Sequence, residues 1–211
     1  GHNREACFFA EEDYHTYRHW LGEALKASAC TLHAYVQMTN HVHLLLTPPA
    51  TEAVPQLLMS LGRRYVQYIN KTYRRTGTLW DSRYKSSLVQ ADNYLLLCQC
   101  YIELNPVRAA MVDDPAHYRW SSYRANGLGQ EDPLLTPHPV YSALGGAEPE
   151  RRAEDDHRSL DGCFREVVEH GPRYASRSAA ADHGECSRAE GRDARQHRGR
   201  VGERVGARQL Q

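Results

Sequence analysis

The sequence lacks the features that mark membrane proteins, disulfide-bonded proteins and zinc-knuckle proteins. It has no run of about eighteen consecutive apolar residues and no visible signal peptide, so we expect no association with a membrane. Its six cysteines are scattered without a CxxC pair, which argues against a disulfide framework and predicts a reducing, cytoplasmic location. It has no net charge, since 26 basic residues balance 26 acidic ones, so the average charge indicates no polyanionic partner.

The hydrophobic periodicity predicts one domain of mixed helices and strands. We expect helices at 11–29, 51–75, 93–105 and 120–124 and strands at 31–38, 41–47 and 78–90. The helix from 93 should stop before Pro106, because a residue that precedes proline avoids the α region. This order predicts an α+β fold, a ferredoxin-like βαββαβ sandwich without its first strand and with a helical C-terminal extension.

Three segments are expected along the chain. Residues 1–126 should form the catalytic domain and residues 127–147 an extended packing arm rich in proline and glycine. From Glu148 to Gln211 the charged residues are thirteen arginines and thirteen acids, with no lysine and little apolar periodicity. Such a composition predicts a disordered or aberrant tail rather than a second folded domain.

Two histidines stand two residues apart in the stretch from Met38 to Thr47. In a strand His41 and His43 would share one face, while Val42 and Leu44 would point to the core. Neutral imidazole is the commonest metal ligand, and a strand would hold the pair rigidly. Taken alone, the pattern equally describes a polar, solvent-facing strand that contains two histidines.

A second set of polar residues lies on the helix that follows Asp92. Tyr101 and Asn105 are four residues apart and therefore share a face of that helix. Tyrosine on a helix is ordinarily a core or interface residue, so Tyr101 alone indicates little. Two imidazoles and one amide oxygen, however, would make a neutral three-ligand set suited to Mg²⁺ or Mn²⁺. The phenol beside such a site would be the nucleophile.

Two segments together resemble the signature of a known family. Met38-Thr39-Asn40-His41-Val42-His43-Leu44-Leu45-Leu46-Thr47-Pro48 and Tyr101-Ile102-Glu103-Leu104-Asn105-Pro106-Val107-Arg108-Ala109 are similar to the motifs of the single-tyrosine HUH transposases. The nearest branch is the REP-associated tyrosine transposases, relatives of the insertion-sequence-200-like enzymes. Gly77-Thr78-Leu79-Trp80 and Tyr118-Arg119-Trp120-Ser121-Ser122-Tyr123 also match.

The resemblance implies an enzyme that cleaves and rejoins single-stranded DNA at hairpin repeats. It assigns His41 and His43 as metal ligands, Asn105 as a third ligand and Tyr101 as the nucleophile that forms a 5′-phosphotyrosine. The metal would assist by polarising the scissile phosphate. The enzyme would act as a monomer or a homodimer.

A local excess of positive charge fits a DNA partner. Cations outnumber acids by six between residues 60 and 90, where aromatic residues are interleaved for base stacking. For Tyr65 and Tyr68 a place in the core is the better interpretation. The predicted DNA-binding residues are Arg63, Arg64, Lys71, Arg74, Arg75, Trp80, Arg83, Lys85 and Arg108.

The sequence departs from the family at both ends, and alternatives remain open. Relatives have a further strand before Gly1, and its absence should leave its neighbours in the sheet unpaired. A truncated or decayed copy that only binds hairpin repeats is therefore one alternative. The others are a phosphodiesterase that uses activated water and an RNA-binding module on a similar sheet.

Overall fold

The computed structural model describes residues 5–80, 84–89, 92–143 and 205–210. They form a four-stranded antiparallel sheet with helices on both faces, which confirms the predicted α+β class. None of the helices in these ranges is long and apolar enough to cross a membrane. The elements in chain order are α1 (Glu11–Ser28), β1 (Thr31–Gln37), β2 (Val42–Thr47), α2 (Ala53–Thr72), β3 (Lys85–Val89), α3 (Asp92–Glu103), α4 (Asn105–Arg108), a 3-10 turn (Pro115–His117), α5 (Tyr123–Asn126), α6 (Pro139–Ser142) and β4 (Val205–Leu210).

The strands are arranged in the order β1-β2-β4-β3, and every neighbouring pair is antiparallel. Strand β4 therefore lies inside the sheet, with Ala207 opposite Leu45 on one side and Ser87 on the other. The prediction that this position stays vacant, with unpaired neighbours, is wrong, because β4 pairs with both. Strand β4 also falls within the tail, residues 148–211, that was predicted to be disordered; residues 148–204 and 211 of that tail lie outside the described residues.

Side-chain alternation along β2 separates the two faces of the sheet. Leu44 joins a buried cluster with Leu21 of α1 and Leu61 of α2. Leu45 points the other way and packs with Leu95 and Ile102 of α3. The helices α1 and α2 thus cover one face, and α3 covers the face to which His43 also points.

The buried carboxylate of Asp13 joins α1 to α2. It accepts hydrogen bonds from the backbone N–H of Phe9 (2.8 Å) and of Ala10 (2.9 Å), at the start of α1. It also accepts hydrogen bonds from the hydroxyls of Tyr68 (3.0 Å), on α2, and of Tyr73 (2.8 Å), which directly follows that helix. One carboxylate therefore caps the first helix and fixes the second against it.

Several element boundaries differ from those predicted. His41 precedes β2 instead of lying within it, and β3 is shorter than the predicted strand. Helix α3 ends at Glu103, and a second short helix, α4, includes Pro106 in its first turn. Proline is tolerated there because the first-turn N–H groups of a helix have no partner within the helix.

Residues 127–143, the described part of the predicted packing arm, lie against β1 and end in α6. The backbone N–H of Thr136 donates to Leu32 O at 2.9 Å, and His33 Nδ1 lies 2.7 Å from Thr136 O. The other ring nitrogen of His33 lies 2.7 Å from Thr47 Oγ1. His33 is thus held as a structural residue, with both ring nitrogens used in joining strands and arm.

Candidate active site

The hairpin between β1 and β2 brings the two motif histidines together. Its link is closed by a hydrogen bond from the N–H of Met38 to His41 O (2.8 Å). The Nε2 atoms of His41 and His43 are 3.1 Å apart, and the rings are nearly perpendicular, at 87°. The two imidazoles therefore direct the same ring nitrogen to one point, although only His43 lies in the strand.

Asn40 sets the orientation of the first imidazole. Its Oδ1 lies 2.6 Å from His41 Nδ1. Because an amide oxygen can only accept, Nδ1 carries the hydrogen and Nε2 presents a lone pair. This is the arrangement in which an outer residue fixes the tautomer of a metal-ligating histidine. The signal for this role in the sequence is the position of Asn40 directly before a ligand-type histidine.

Both imidazoles are kept neutral by their surroundings. Burial, with smaller contributions from His41 and from the positive charge of Arg108, lowers the pKa of His43 from 6.5 to about 3. Burial also lowers the pKa of His41. Neutral rings with free lone pairs are the form in which histidine binds metal ions.

The other half of the site comes from the α3–α4 segment. The Asn105 amide nitrogen Nδ2 lies 3.1 Å from His43 Nε2. The Tyr101 ring meets the His43 ring edge to face, with centroids 5.8 Å apart and planes at 90°. Tyr101 is half-buried, so part of its ring stays accessible beside the histidines. The structure therefore brings Tyr101, Asn105, His41 and His43 together on one side of the sheet.

These polar atoms fit a small divalent cation. When both rings carry their hydrogen on Nδ1, the two Nε2 lone pairs lie 3.1 Å apart and can share one cation. That spacing is close to the roughly 3 Å that separates adjacent ligands of an octahedral ion with bonds of about 2.1 Å. Rotating the Asn105 amide about its last bond presents oxygen in place of nitrogen. Among the described residues no group of three or more His, Cys, Asp and Glu side chains can hold a metal, so the amide would complete the set.

A buried polar network fixes α3 from behind. Glu103 is fully buried, and its Oε1 accepts hydrogen bonds from Ser122 Oγ (2.5 Å) and Asn126 Nδ2 (2.7 Å). Ser122 Oγ also accepts a hydrogen bond from the backbone N–H of Tyr35, on β1, at 3.0 Å. The network ties the segment between Tyr101 and Asn105 to the sheet. Sequence reasoning missed it, because a glutamate on a helix ordinarily faces solvent.

The predicted DNA-binding residues are divided between the two faces of the sheet. Arg63, Arg64 and Lys71 are exposed on α2, which covers the face opposite the histidines, and Arg74 is exposed just after the end of that helix. Arg75 lies over the ring of Phe9 at 5.5 Å, and Trp80 stacks on Tyr65 with centroids 6.2 Å apart. Tyr65 itself is fully buried. Arg83 lies outside the described residues.

Two of the predicted cations are on the side of the histidines. Lys85 is opposite Gln209, which is opposite His43, so Lys85 and His43 share a face at a separation of about 10 Å. Arg108 is nearer, with its guanidinium carbon 4.6 Å from the centre of the Tyr101 ring. Both side chains are exposed.

Comparison with known protein families found a match that includes the residues of this site. The model of one protein family, described as transposase, IS200 like, matches residues 2–105, a segment that contains both histidines, Tyr101 and Asn105. No curated protein and no solved structure matches the chain.

Proposed function

Because the chain belongs to the IS200-like transposase family over residues 2–105, we propose that it cleaves and rejoins single-stranded DNA at hairpin repeats. Membership of the family indicates a transposase, an enzyme that cleaves DNA and therefore binds it. The finer features are our proposal: a REP-associated transposase with a ferredoxin-like catalytic domain, Tyr101 as nucleophile and assistance by a metal ion. A cytoplasmic location and a monomeric or homodimeric state stay predictions.

The observation that carries the proposal is the convergence of Tyr101 on the histidine pair. Tyr101 lies on a helix, and the two neutral imidazoles lie on and beside a strand of a hairpin. The centres of the Tyr101 and His43 rings are 5.8 Å apart. His41, His43 and Asn105 would hold Mg²⁺ or Mn²⁺, and a bound ion of this kind supplies Lewis-acid polarisation of the scissile phosphate. The second group needed for covalent cleavage, a nucleophile beside the ligands, is then Tyr101.

The proposed reaction exchanges one phosphodiester for another. The Tyr101 oxygen forms a bond to phosphorus as the bond from phosphorus to the 3′ oxygen breaks. The phenol loses its proton and the departing 3′ oxygen gains one, so the products are a 5′-phosphotyrosine and a free 3′-hydroxyl. Because the covalent link retains a phosphodiester, a 3′-hydroxyl can attack it in reverse and rejoin DNA without ATP.

The test is formation of a covalent protein–DNA species. The full chain is incubated with Mn²⁺ and a pool of single-stranded DNAs that carry hairpins with randomised flanks, labelled at the 3′ end. A labelled band at the mass of protein plus DNA on a denaturing gel is expected. Tyr101→Phe keeps the half-buried ring and removes the hydroxyl, so it should form no adduct.

The alternatives give different results in the same experiment. A chain that retains the pool in a native gel but forms no adduct acts as a binding module for hairpin repeats. Free DNA fragments produced equally by the wild type and by Tyr101→Phe would indicate a phosphodiesterase that activates water. Either result overturns the proposal.

A further inference from the structure

Arg108 lies directly beside the proposed nucleophile, with its guanidinium carbon 4.6 Å from the centre of the Tyr101 ring. It follows Tyr101 by seven residues and Asn105 by three, so all three lie on one face of the α3–α4 segment. The segment stays helical across the junction, where the N–H of Leu104 donates to Cys100 O (2.9 Å) and that of Arg108 donates to Leu104 O (3.0 Å). This backbone holds the guanidinium over the nucleophile.

The contact between the two side chains leaves Arg108 able to bind an anion. Its guanidinium carbon lies 4.6 Å from the centre of the Tyr101 ring, within the range of a cation–π contact. A guanidinium has five N–H donors, and this contact with the ring leaves donors available for a second partner. Within the described residues Arg108 has no ion pair with an acidic side chain, and it is exposed.

The charge of Arg108 acts at the same place as the histidines. Its guanidinium carbon lies 4.6 Å from the centre of the Tyr101 ring, and the centre of that ring lies 5.8 Å from the centre of the His43 ring, so the positive charge and the imidazole flank the same phenol. A cation next to two neutral imidazoles has no charge partner there, so it gains favourable electrostatic energy when an anion binds beside it. The non-bridging oxygens of a phosphodiester are such an anion, and they match the paired N–H groups of a guanidinium.

We propose that Arg108 binds the phosphate that Tyr101 attacks, and that its contact with the ring holds the phenol in line with that phosphate. The inference rests on the proposed function and deepens it, because it separates Arg108 from cations that hold DNA at other phosphates. As the Tyr101–phosphorus bond forms and the bond to the 3′ oxygen breaks, Arg108 stabilises the charge that develops on the non-bridging oxygens. No proton passes through Arg108.

The test compares adduct formation with DNA binding. Arg108→Ala should lower the single-turnover rate of adduct formation by about 100-fold, the usual effect of removing one donor to a developing oxyanion. The Kd for the hairpin pool should change by less than about threefold, the effect of one phosphate contact among many. Arg108→Lys keeps the charge without the planar fork and should recover part of the rate.

Arg119 offers a control on another exposed arginine. It also lies over an aromatic ring, 4.7 Å from the centre of Trp120, but it is paired with Glu11 at 2.7 Å. Arg119→Ala should leave the rate and the Kd within about twofold of wild type, since surface changes ordinarily have small effects. Thermal unfolding of each variant shows whether a lost rate reflects lost structure, and Arg108→Lys then carries the comparison if Arg108→Ala does not fold.

A neutral linkage makes the assignment specific to the scissile phosphate. At the linkage that the wild type cleaves, a methylphosphonate removes the anionic oxygen, and there the rates of wild type and Arg108→Ala should become equal. A rate defect that persists on this linkage, or an unchanged rate on ordinary DNA, or a defect explained wholly by Kd, would overturn the proposal. Absence of any adduct with the wild type would instead contradict the proposed function itself.

Discussion

The Asn105 amide lies 3.1 Å from Nε2 of His43, and this contact joins the α3–α4 segment to strand β2 at the centre of the candidate site. The Nε2 atom of His41, in the hairpin before β2, lies 3.1 Å from the same His43 nitrogen. The arrangement makes specific predictions about metal affinity, pH dependence and stability.

Removing the amide should weaken the binding of metal. We expect Asn105→Ala to lower the affinity for Mn²⁺ by about 10- to 100-fold, the range seen when a group at a metal site is lost. Titration calorimetry on the DNA-free chain measures this directly. Gln67→Ala removes an exposed amide from α2 and serves as the control. Equal Mn²⁺ affinities for wild type and Asn105→Ala would exclude the amide as a ligand.

Acid should destabilise the metal-free protein through His43. The unfolded chain binds a proton at this residue below pH 6.5, whereas the folded chain does so only near pH 3. The contribution of His43 to stability is therefore complete above pH 6.5 and is lost as the pH falls toward 3, by up to roughly 1.4 kcal/mol per pH unit. Urea unfolding in the presence of a chelator between pH 7 and 4 gives the slope.

His43→Gln supplies the comparison for that slope, since glutamine does not titrate. The free energy of unfolding of this variant should fall less steeply with decreasing pH than that of the wild type. Parallel curves for the two proteins would show that His43 is not held neutral by the fold.

The Asp13 carboxylate should be a major source of stability between α1 and α2. Asp13→Ala removes the acceptor of four hydrogen bonds at a fully buried position. We expect the free energy of unfolding to fall by about 3 kcal/mol, as for loss of a buried charged partner. The neighbouring exposed Glu12→Ala should change it by less than about 0.5 kcal/mol. If urea unfolding shows a similarly small change for Asp13→Ala, the Asp13 carboxylate does not stabilise the packing of α1 against α2.

Strand β4 should be needed for the sheet that carries the histidines. Ala207→Pro removes an N–H from an interior strand with neighbours on both sides. We expect a loss of about 3 kcal/mol or more in the free energy of unfolding. Ala207→Val suits a strand and should be tolerated. If proline at this position leaves the unfolding midpoint unchanged, β4 does not contribute to the folded domain.

The α+β class and the partners at the site were predictable because they depend on short-range patterns. Alternation in the histidine stretch places His43 and Leu45 on one face, and the four-residue spacing of Tyr101 and Asn105 places them on one face of a helix. The length of β3 and the helix that contains Pro106 were not predictable from the sequence, because both depend on packing against distant residues rather than on local preference.

The position of β4 shows the same limit more clearly. Nothing in the periodicity of Val205–Leu210 distinguishes it from the charged tail around it, and only the backbone groups of β2 and β3 give it a partner. The separation of the α2 cations from the histidines is likewise a consequence of how the layers stack. A local count of charge contains no information about which face of a sheet a helix covers.

The pairing of Val42 with Leu210 also determines when the site can be completed during synthesis. During synthesis β2 leaves the ribosome early and can pair with β1, but β4, its other neighbour in the sheet, has not yet been translated. One edge of the nascent sheet therefore stays open until translation reaches Val205–Leu210. Contacts this distant in sequence close slowly, so we expect the last strand to limit the rate at which newly made chains acquire the site.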